Sequence, residues 1–303
     1  MATSSYLKDR LNGLDTTGTI KGRSLWQDAL RRLLHNKAAV VSMVVLGIII
    51  MLAILAPYLS PWAYDSPDWG YDFPGPPDAA LKHWFGTDGN GRDLFVRTLY
   101  GARISLMVGI LATTVSLVIG VSYGATAGFL GGRVDNVMMR IVDILYSLPF
   151  MFFVILLMVF FGRNIFLIFI ALGAVEWLTM ARIVRGQTLS VKKMEFIEAA
   201  HAIGVSNRKI ITRHIIPNVL GPVIVYMTLT IPQVILTESF LSFLGLGVQE
   251  PLTSWGVLIS EGAKQMESAP WMLVFPAVFL ALTLFCFNFI GDGLRDALDP
   301  KDR

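Results

Sequence analysis

The chain has 303 residues, of which 54% are hydrophobic and 16% are charged, and its mean hydropathy is +0.61. Soluble domains carry about 25% charged residues, so this composition excludes an ordinary soluble domain. It predicts an all-α membrane protein, because irregular backbone is not viable in lipid. The net charge of +3 gives no reason to expect a nucleic-acid partner. The single cysteine, Cys286, cannot form an intramolecular disulfide.

The N-terminal tail, residues 1–37, contains a candidate interfacial helix. Its apolar side chains recur at helical spacing: Leu25, Trp26, Ala29, Leu30, Leu33 and Leu34. With basic residues alongside, such a helix would lie at the membrane surface with its apolar side in lipid. The alternative is a soluble helix that packs on a partner.

Six apolar runs are long enough to cross a bilayer as helices. The first, Ala38–Ala56, contains no charge in 19 residues, which at about 1.5 Å per residue matches the roughly 30 Å hydrocarbon core. It is too long for the apolar region of a signal peptide and follows a 37-residue polar leader, so an uncleaved span is favoured. The other runs are approximately Ile104–Gly124, Ile144–Phe161, Ile165–Met180, Val219–Gly245 and Trp271–Ile290.

The distribution of Lys and Arg orients these six spans. Alternating connections place 19 of the 25 Lys and Arg residues on the side of the two termini, which is cytoplasmic by the positive-inside rule. The predicted organisation is a cytoplasmic tail (1–37), a first span (38–56), an outer loop (57–103), a five-helix core (104–290) with a cytoplasmic loop at 185–218, and a cytoplasmic tail (291–303).

The outer loop is rich in Pro, Trp and Asp. It is too polar to enter lipid and too aromatic to be a simple linker. Two interpretations stay open: the loop gates a pore or receives a partner, or it packs as a cap over the helix ends.

The polar segment 185–218 carries the signals of two short helices joined by a tight turn. Thr188 or Ser190 is a candidate N-cap for the first helix. Gly204 is placed as the left-handed residue that ends it, and Ser206 as the cap of the second helix.

The end of that second helix is also predicted. Pro217 should stop it, and Asn218 should cap the fifth span. The small side chains of Ala199 and Ala200 would let another protein surface approach closely. The alternative is an ordinary solvated connector between two spans.

Three carboxylates fall in or near the spans, where charge is costly and marks a functional candidate. Asp143 lies one turn from Arg140, which favours a structural ion pair. Glu176 could face a central cavity or pair with Arg182. Glu238 could line a translocation pathway or hydrogen-bond to a neighbouring helix. No catalytic or metal site is predicted, because the 4 histidines are scattered and no nucleophile–base pair can be placed.

Motifs in several parts of the chain resemble the type I ABC importer permeases. The family's coupling loop is matched at Glu198-Ala199-Ala200, Gly204 and His214-Ile215-Ile216-Pro217-Asn218. The peptide and nickel permease group is resembled by Phe-Gly-Thr-Asp-x-x-Gly-Arg-Asp at 85–93, Tyr-Gly-Ala-Arg-Ile-Ser-Leu at 100–106 and the tail at 291–300. Within that group, segments 150–157 and 181–190 are most similar to the C-type permeases of oligopeptide importers. The resemblance runs over about residues 24–303.

This resemblance implies a type I ABC importer permease fold with six transmembrane helices and both termini in the cytoplasm. It implies a permease that carries oligopeptides across the bacterial inner membrane; dipeptides, murein peptides, glutathione or nickel are the alternative cargoes. The implied partners are a homologous permease, two ATP-binding subunits and a periplasmic peptide-binding protein. The residues implied to couple to an ATPase subunit are Glu198, Ala199, Ala200, Gly204, Val205, Ser206, His214, Pro217 and Asn218.

ATP chemistry is not expected on this chain itself. No Gly-Lys dipeptide occurs in it, so a phosphate-binding P-loop is absent. ATP and Mg would be held by the partner subunits, and this chain would bind no cofactor. An autonomous channel or secondary carrier is a second hypothesis, but no internal repeat supports it.

Overall fold

The computed structural model describes residues 25–162 and 164–298, and this part is helical apart from turns and three isolated β-bridges. Most of the predicted N-terminal tail and the end of the C-terminal tail lie outside the described residues. The helices are α1 (Leu25–His35), α2 (Lys37–Leu59), α3 (Leu94–Leu130), α4 (Gly132–Ser147), α5 (Phe150–Phe161), α6 (Ile165–Val191), α7 (Glu195–Ala202), α8 (Asn207–Ile210), α9 (Ile216–Phe243), α10 (Trp255–Lys264) and α11 (Trp271–Leu298), with a π-helical turn at Ile211–Ile215.

Five helices are long and apolar enough to cross a membrane: Lys37–Leu59, Leu94–Leu130, Phe166–Val191, Asn207–Phe243 and Trp271–Leu298. The predicted span Ile144–Phe161 is instead divided between α4 and α5. Leu148 adopts an extended conformation (φ −75°, ψ 134°), because the proline that follows it disfavours helical backbone. One continuous helix over that run is therefore wrong, and the count of six spans is not confirmed.

The centre of the fold is the close packing of α3 against α6. Small residues let the two backbones approach: a Cβ placed on Gly124 would collide with the carbonyl oxygen of Ala181. The contact continues to the end of α6, where Thr188 is fully buried. Thr188 and Ser190 therefore lie inside α6, and the prediction that either caps the next helix is wrong.

The predicted interfacial helix forms as α1. One side of it is buried against the ends of α2 and α11, through Ala29 and Leu33. Leu30 and Leu34 point away from the chain, with exposed fractions of 57% and 56%. The helix thus packs on its own chain by one side, and contact of the outer leucines with lipid stays a prediction.

A proline leaves α2 with a hydrogen-bonding gap near its C-terminal end. Pro57 has no N–H, so the carbonyl of Ala53 has no partner within the helix. Arg103 of α3 fills the gap: its Nε donates to the Ala53 carbonyl at 2.5 Å and its Nη2 to the Ile54 carbonyl at 2.8 Å. The guanidinium also lies 4.4 Å from the centre of the Tyr100 ring. Arg103 therefore joins α2 to α3.

The connection between α2 and α3, residues 60–93, is a folded structure that we call the first outer loop. The imidazole ring of His83, in this loop, is fully buried, with Nδ1 2.8 Å from Asp93 and Nε2 3.3 Å from Asp68. The ring stacks on Trp62 and on Tyr71, at centroid distances of 4.6 and 5.1 Å. Asp93 also caps α3 by accepting the N–H of Val96 at 2.8 Å. The start of α3 is thus built into the loop, and α3 begins ten residues earlier than the predicted span.

A buried charge cluster connects this loop to α3, to α10 and to the segment that follows α9. Asp88 lies 2.8 Å from Arg92 and 3.1 Å from Arg97, a side chain with no exposed surface. Arg92 also pairs with Glu250 at 3.0 Å, and Arg97 lies 3.6 Å from Glu261 of α10. This placement corresponds to the packed-cap interpretation of the loop.

Candidate functional site

The polar segment that joins α6 to α9, residues 192–215, is called the inner segment below. Its first helix, α7, has one buried side. Ile197 and Ala200 are 1% and 5% exposed. They pack in a cluster that includes Val191, Ile210, Ile215 and Val219. The helix is therefore seated on the ends of α6 and α9 and does not project freely.

The other side of the inner segment is open. Of the predicted coupling residues, the exposed ones are Glu198, Ala199, Gly204, Ser206, Pro217 and Asn218. Val205 and His214 are half-buried, and Ala200 faces the chain's own core. Most of these residues are thus accessible in the structure, with Ala200 as the exception.

Three exposed apolar side chains lie in the same region, and the sequence reasoning did not identify them. Ile203 is 80% exposed, Met194 47% and Phe196 40%. By its spacing from Ile197 and Ala200, Ile203 should have extended the buried stripe, but the turn at Gly204 carries it outward. Clustered exposed apolar groups mark interaction surfaces.

The turn after α7 confirms the predicted role of Gly204. Its φ is +78°, a left-handed conformation that favours glycine. The N–H of Gly204 donates to the carbonyl of His201 and that of Val205 to the carbonyl of Ala200, both at 3.0 Å. This pair of hydrogen bonds is the Schellman arrangement that closes helix ends.

The predicted end of the second short helix is wrong. Ser206 occupies the N-cap position of α8, although its side chain makes no capping hydrogen bond. The chain then stays helical through the π turn Ile211–Ile215 and into α9, with Pro217 in the first turn of α9. A π turn widens the backbone, so a proline ring and its missing N–H are accommodated. Asn218 is not a cap; its Nδ2 donates to the His214 carbonyl at 2.6 Å.

Side-chain contacts clamp the inner segment to the end of α3. The His201 ring stacks on Phe129 with a centroid distance of 5.5 Å and an angle of 1°. Lys192 donates to the Phe129 carbonyl and lies 5.6 Å from the centre of that ring. Phe129 is one residue from the end of α3, so α7 is in direct contact with the end of the central helix.

A cavity of about 1050 Å³ lies between α4, α5, α6 and α9, with further wall residues from α10 and α11. Its wall is largely apolar and aromatic, and it includes Tyr146, Phe153, Tyr226, Phe240 and Phe243. Glu176 is the one charged side chain among the described residues that line it. The structure therefore places Glu176 at the cavity, one of the two positions predicted for it.

Glu238 lies elsewhere. It has no exposed surface, and its Oε1 accepts a hydrogen bond from Ser242 at 2.6 Å. Its Oε2 is 3.5 Å from Ser105 of α3, a long contact. This placement corresponds to the helix–helix alternative, and a role of Glu238 in the translocation pathway stays a prediction.

The intramembrane ion pairs differ from the predicted ones. Asp143 pairs with Arg182 of α6 at 2.8 Å, so the predicted pair with Arg140 is wrong. The helix geometry carries Asp143 toward α6, and Arg182 also lies 4.3 Å from the centre of the Tyr146 ring. Since Arg182 is occupied, its predicted alternative pairing with Glu176 is wrong as well. Within the ranges that the structure describes, Glu176 has no ion-pair partner.

Five apolar helices long enough to cross a membrane, with a cavity between them, are the features of a multi-pass membrane protein. Residues 118–303 match the family described as "Binding-protein-dependent transport system inner membrane component". Residues 24–77 match the "N-terminal TM domain of oligopeptide transport permease C". The chain belongs to the family of binding-protein-dependent transport system inner membrane components, and it is a multi-pass membrane protein. The resemblance drawn from the motifs is confirmed.

Two relatives match all or nearly all of the chain. It is 64% identical to the "Oligopeptide transport system permease protein OppC" of Escherichia coli strain K12 over 303 residues, which is 100% of both chains. It is 61% identical to the protein of the same name in Haemophilus influenzae, over 94% of this chain and 91% of the relative.

A solved structure of the MetNI methionine ABC transporter in inward-facing conformations has a similar fold. The TM-score is 0.57 at 18% identity, over 68% of this chain and 96% of that chain. At that identity the likeness shows the fold alone. The predicted all-α type I ABC permease fold is therefore confirmed.

Proposed function

We propose that this chain is the transmembrane permease subunit of an ATP-driven, binding-protein-dependent importer that carries oligopeptides across the bacterial inner membrane. The observation that carries the proposal is the 64% identity to an oligopeptide permease over the full length of both chains. Dipeptides, murein peptides, glutathione or nickel would be the cargo of a related importer with the same architecture.

The proposed partners would supply what this chain does not supply itself. A homologous permease would complete the cavity, and a periplasmic peptide-binding protein would deliver the cargo. Two ATP-binding subunits would hold ATP and Mg, since this sequence has no P-loop. One of them would cover the exposed apolar group of Met194, Phe196 and Ile203 beside Glu198 and Ala199.

The mechanism is alternating access. Closure of the ATPase subunits on ATP would displace α7, whose buried side is continuous with the ends of α6 and α9. The stack of His201 on Phe129 would pass the same displacement to α3. ATP can shift the spans only to the extent that it stabilises one arrangement over the other.

The decisive experiment is reconstitution. The chain, co-expressed with its candidate partners, is placed in proteoliposomes with ATP inside, and uptake of labelled peptides of graded length is measured. We expect ATP-dependent uptake that requires all partners and extends to peptides longer than dipeptides. Transport by this chain alone would contradict the proposal, and uptake restricted to dipeptides, glutathione or nickel would assign the alternative cargo.

A further inference from the structure

The cavity contains one unneutralised carboxylate in an otherwise uncharged wall. Glu176 is half-buried on α6 and lines the cavity with aromatic and aliphatic side chains. The nearby carboxylates differ from it: Asp143 pairs with Arg182 at 2.8 Å, and Asp135 pairs with Arg185 at 2.6 Å. Among the described residues, only Glu176 brings an unpaired charge to this space.

An unpaired carboxylate in an apolar wall is costly unless a cation reaches it. No Lys or Arg lies among the described wall residues, so the described part of the wall leaves Glu176 open to a cation that enters the cavity. Solvent, the second permease that would complete the cavity and the cargo are the available sources, and of these the peptide cargo brings an ammonium group on every passage.

We propose that Glu176 receives an ammonium group of the peptide during its passage through the cavity. This inference rests on the proposed function, because it presumes a peptide cargo. Every unblocked peptide carries an α-ammonium group near neutral pH, and lysine side chains supply a second source of the same chemistry. A carboxylate accepts hydrogen bonds from ammonium in a short, charge-assisted geometry.

The remaining wall suits cargo of varied side chains. Aromatic rings such as Tyr146, Tyr226 and Phe240 offer broad apolar surfaces without shape-specific pockets. Gln233 and Thr237 of α9 also line the cavity and can hydrogen-bond to peptide amides. One fixed charge therefore orients a group that peptides share, while the rest of the wall tolerates their differences.

The test compares the complete importer carrying Glu176→Gln with the wild type, in proteoliposomes and with the same binding protein. Gln keeps the shape and removes the charge. The peptides are Ala-Ala-Ala, Ala-Lys-Ala and the same peptide acetylated on its lysine side chain. Because the binding protein is unchanged, its own preferences cancel in each mutant-to-wild-type ratio. Glu267→Gln makes the same substitution at an exposed position outside the cavity and is the matched control.

We expect Glu176→Gln to lower peptide uptake about tenfold relative to the wild type, which corresponds to the loss of one charge-assisted hydrogen bond. An equal loss for all three peptides that Glu176→Asp reverses is the result expected for the α-ammonium group, which all three share, and a loss confined to Ala-Lys-Ala identifies the side chain. Glu176→Asp should restore most of the rate. Equal rates for wild type and Glu176→Gln with every peptide would overturn the inference while leaving the proposed function intact. Absence of peptide uptake by the wild type would overturn both.

A second measurement covers the case in which Glu176→Gln does not assemble. A carbodiimide joins a carboxylate to a contacting amine as an amide without a spacer. We expect it to link a peptide amine to Glu176 in the wild-type complex, identified by mass spectrometry. Cross-linking that omits Glu176 while other carboxylates react would overturn the inference.

Discussion

The two ends of α3 are held in different ways. At its N-terminal end the helix is fixed by buried charges: Arg97 has no exposed surface, and Asp88 bridges it to Arg92. At its C-terminal end, Phe129 lies in an apolar cluster with Ile197 and Ala200 of the small helix α7, and a ring stack with His201 and a hydrogen bond from Lys192 are its polar contacts there. Stability is not uniform within a protein, and parts that move are drawn from its less stable regions. The comparison indicates a rigid outer end and an adjustable inner end.

The largest effect is expected at the rigid end. Asp88→Ala leaves two buried guanidinium groups without their shared partner, which should cost about 3–5 kcal/mol. We expect loss of folded protein or a much lower melting temperature in detergent. Asp65→Ala, at an exposed site in the same loop, is the control. A wild-type melting temperature for Asp88→Ala would refute the rigid-end interpretation.

At the adjustable end, Gly204→Val should impair coupling without preventing insertion. Valine in the left-handed conformation costs about 1–2 kcal/mol, and no atom lies within 4 Å of the added Cβ, so the strain is local to the turn. We expect normal assembly and a several-fold drop in peptide-stimulated ATPase activity. Gly221→Val, in a helix with equal space around it, should change this activity little. Full stimulation in Gly204→Val would argue against a coupling role for the inner segment.

Glu238→Gln separates a structural role from a pathway role. Because the carboxylate is enclosed and bonded to Ser242, we expect a loss of about 1 kcal/mol of stability and near-normal peptide uptake. Thermal melting and transport assays on the same preparation measure the two quantities. Reduced uptake with unchanged melting would instead support the pathway role predicted from the sequence.

The smallest effect is expected from acid on the first outer loop. The hydrogen bond from the Gly70 N–H, aided by His83, lowers the pKa of Asp68 below its ordinary 3.8. A depressed carboxyl pKa contributes stability above the unfolded value, and this is lost as pH falls through the folded value. We expect slight loosening of the loop below about pH 4, measured as proteolytic sensitivity. Asp68→Asn should show the loosening already at pH 7. If this variant resists proteolysis at pH 7 as well as the wild type does, the proposed contribution of the Asp68 carboxylate is wrong.

The accuracy of sequence reasoning differed between local and tertiary features. Gly204 was predicted correctly because a helix end after an alanine-rich turn demands a left-handed residue, which is a local property. The partners of Asp143 and the enclosure of Glu238 depend on how α3, α6 and α9 pack, which helical spacing does not contain. The prediction that Pro217 ends the second short helix was wrong for a related reason, because the π turn before it accommodates the proline and the chain stays helical. Ile203 was missed because a capping turn overrode the period of the buried stripe.

The bond between Arg103 and the proline gap in α2 has a consequence for biogenesis. The carbonyl of Ala53, left without a partner in its own helix by Pro57, finds its donor in the next span along the chain, and the same guanidinium also donates to Ile54. In hydrocarbon an unsatisfied carbonyl costs several kcal/mol. The first span therefore completes its backbone hydrogen bonding only when it pairs with the span that follows it in the chain.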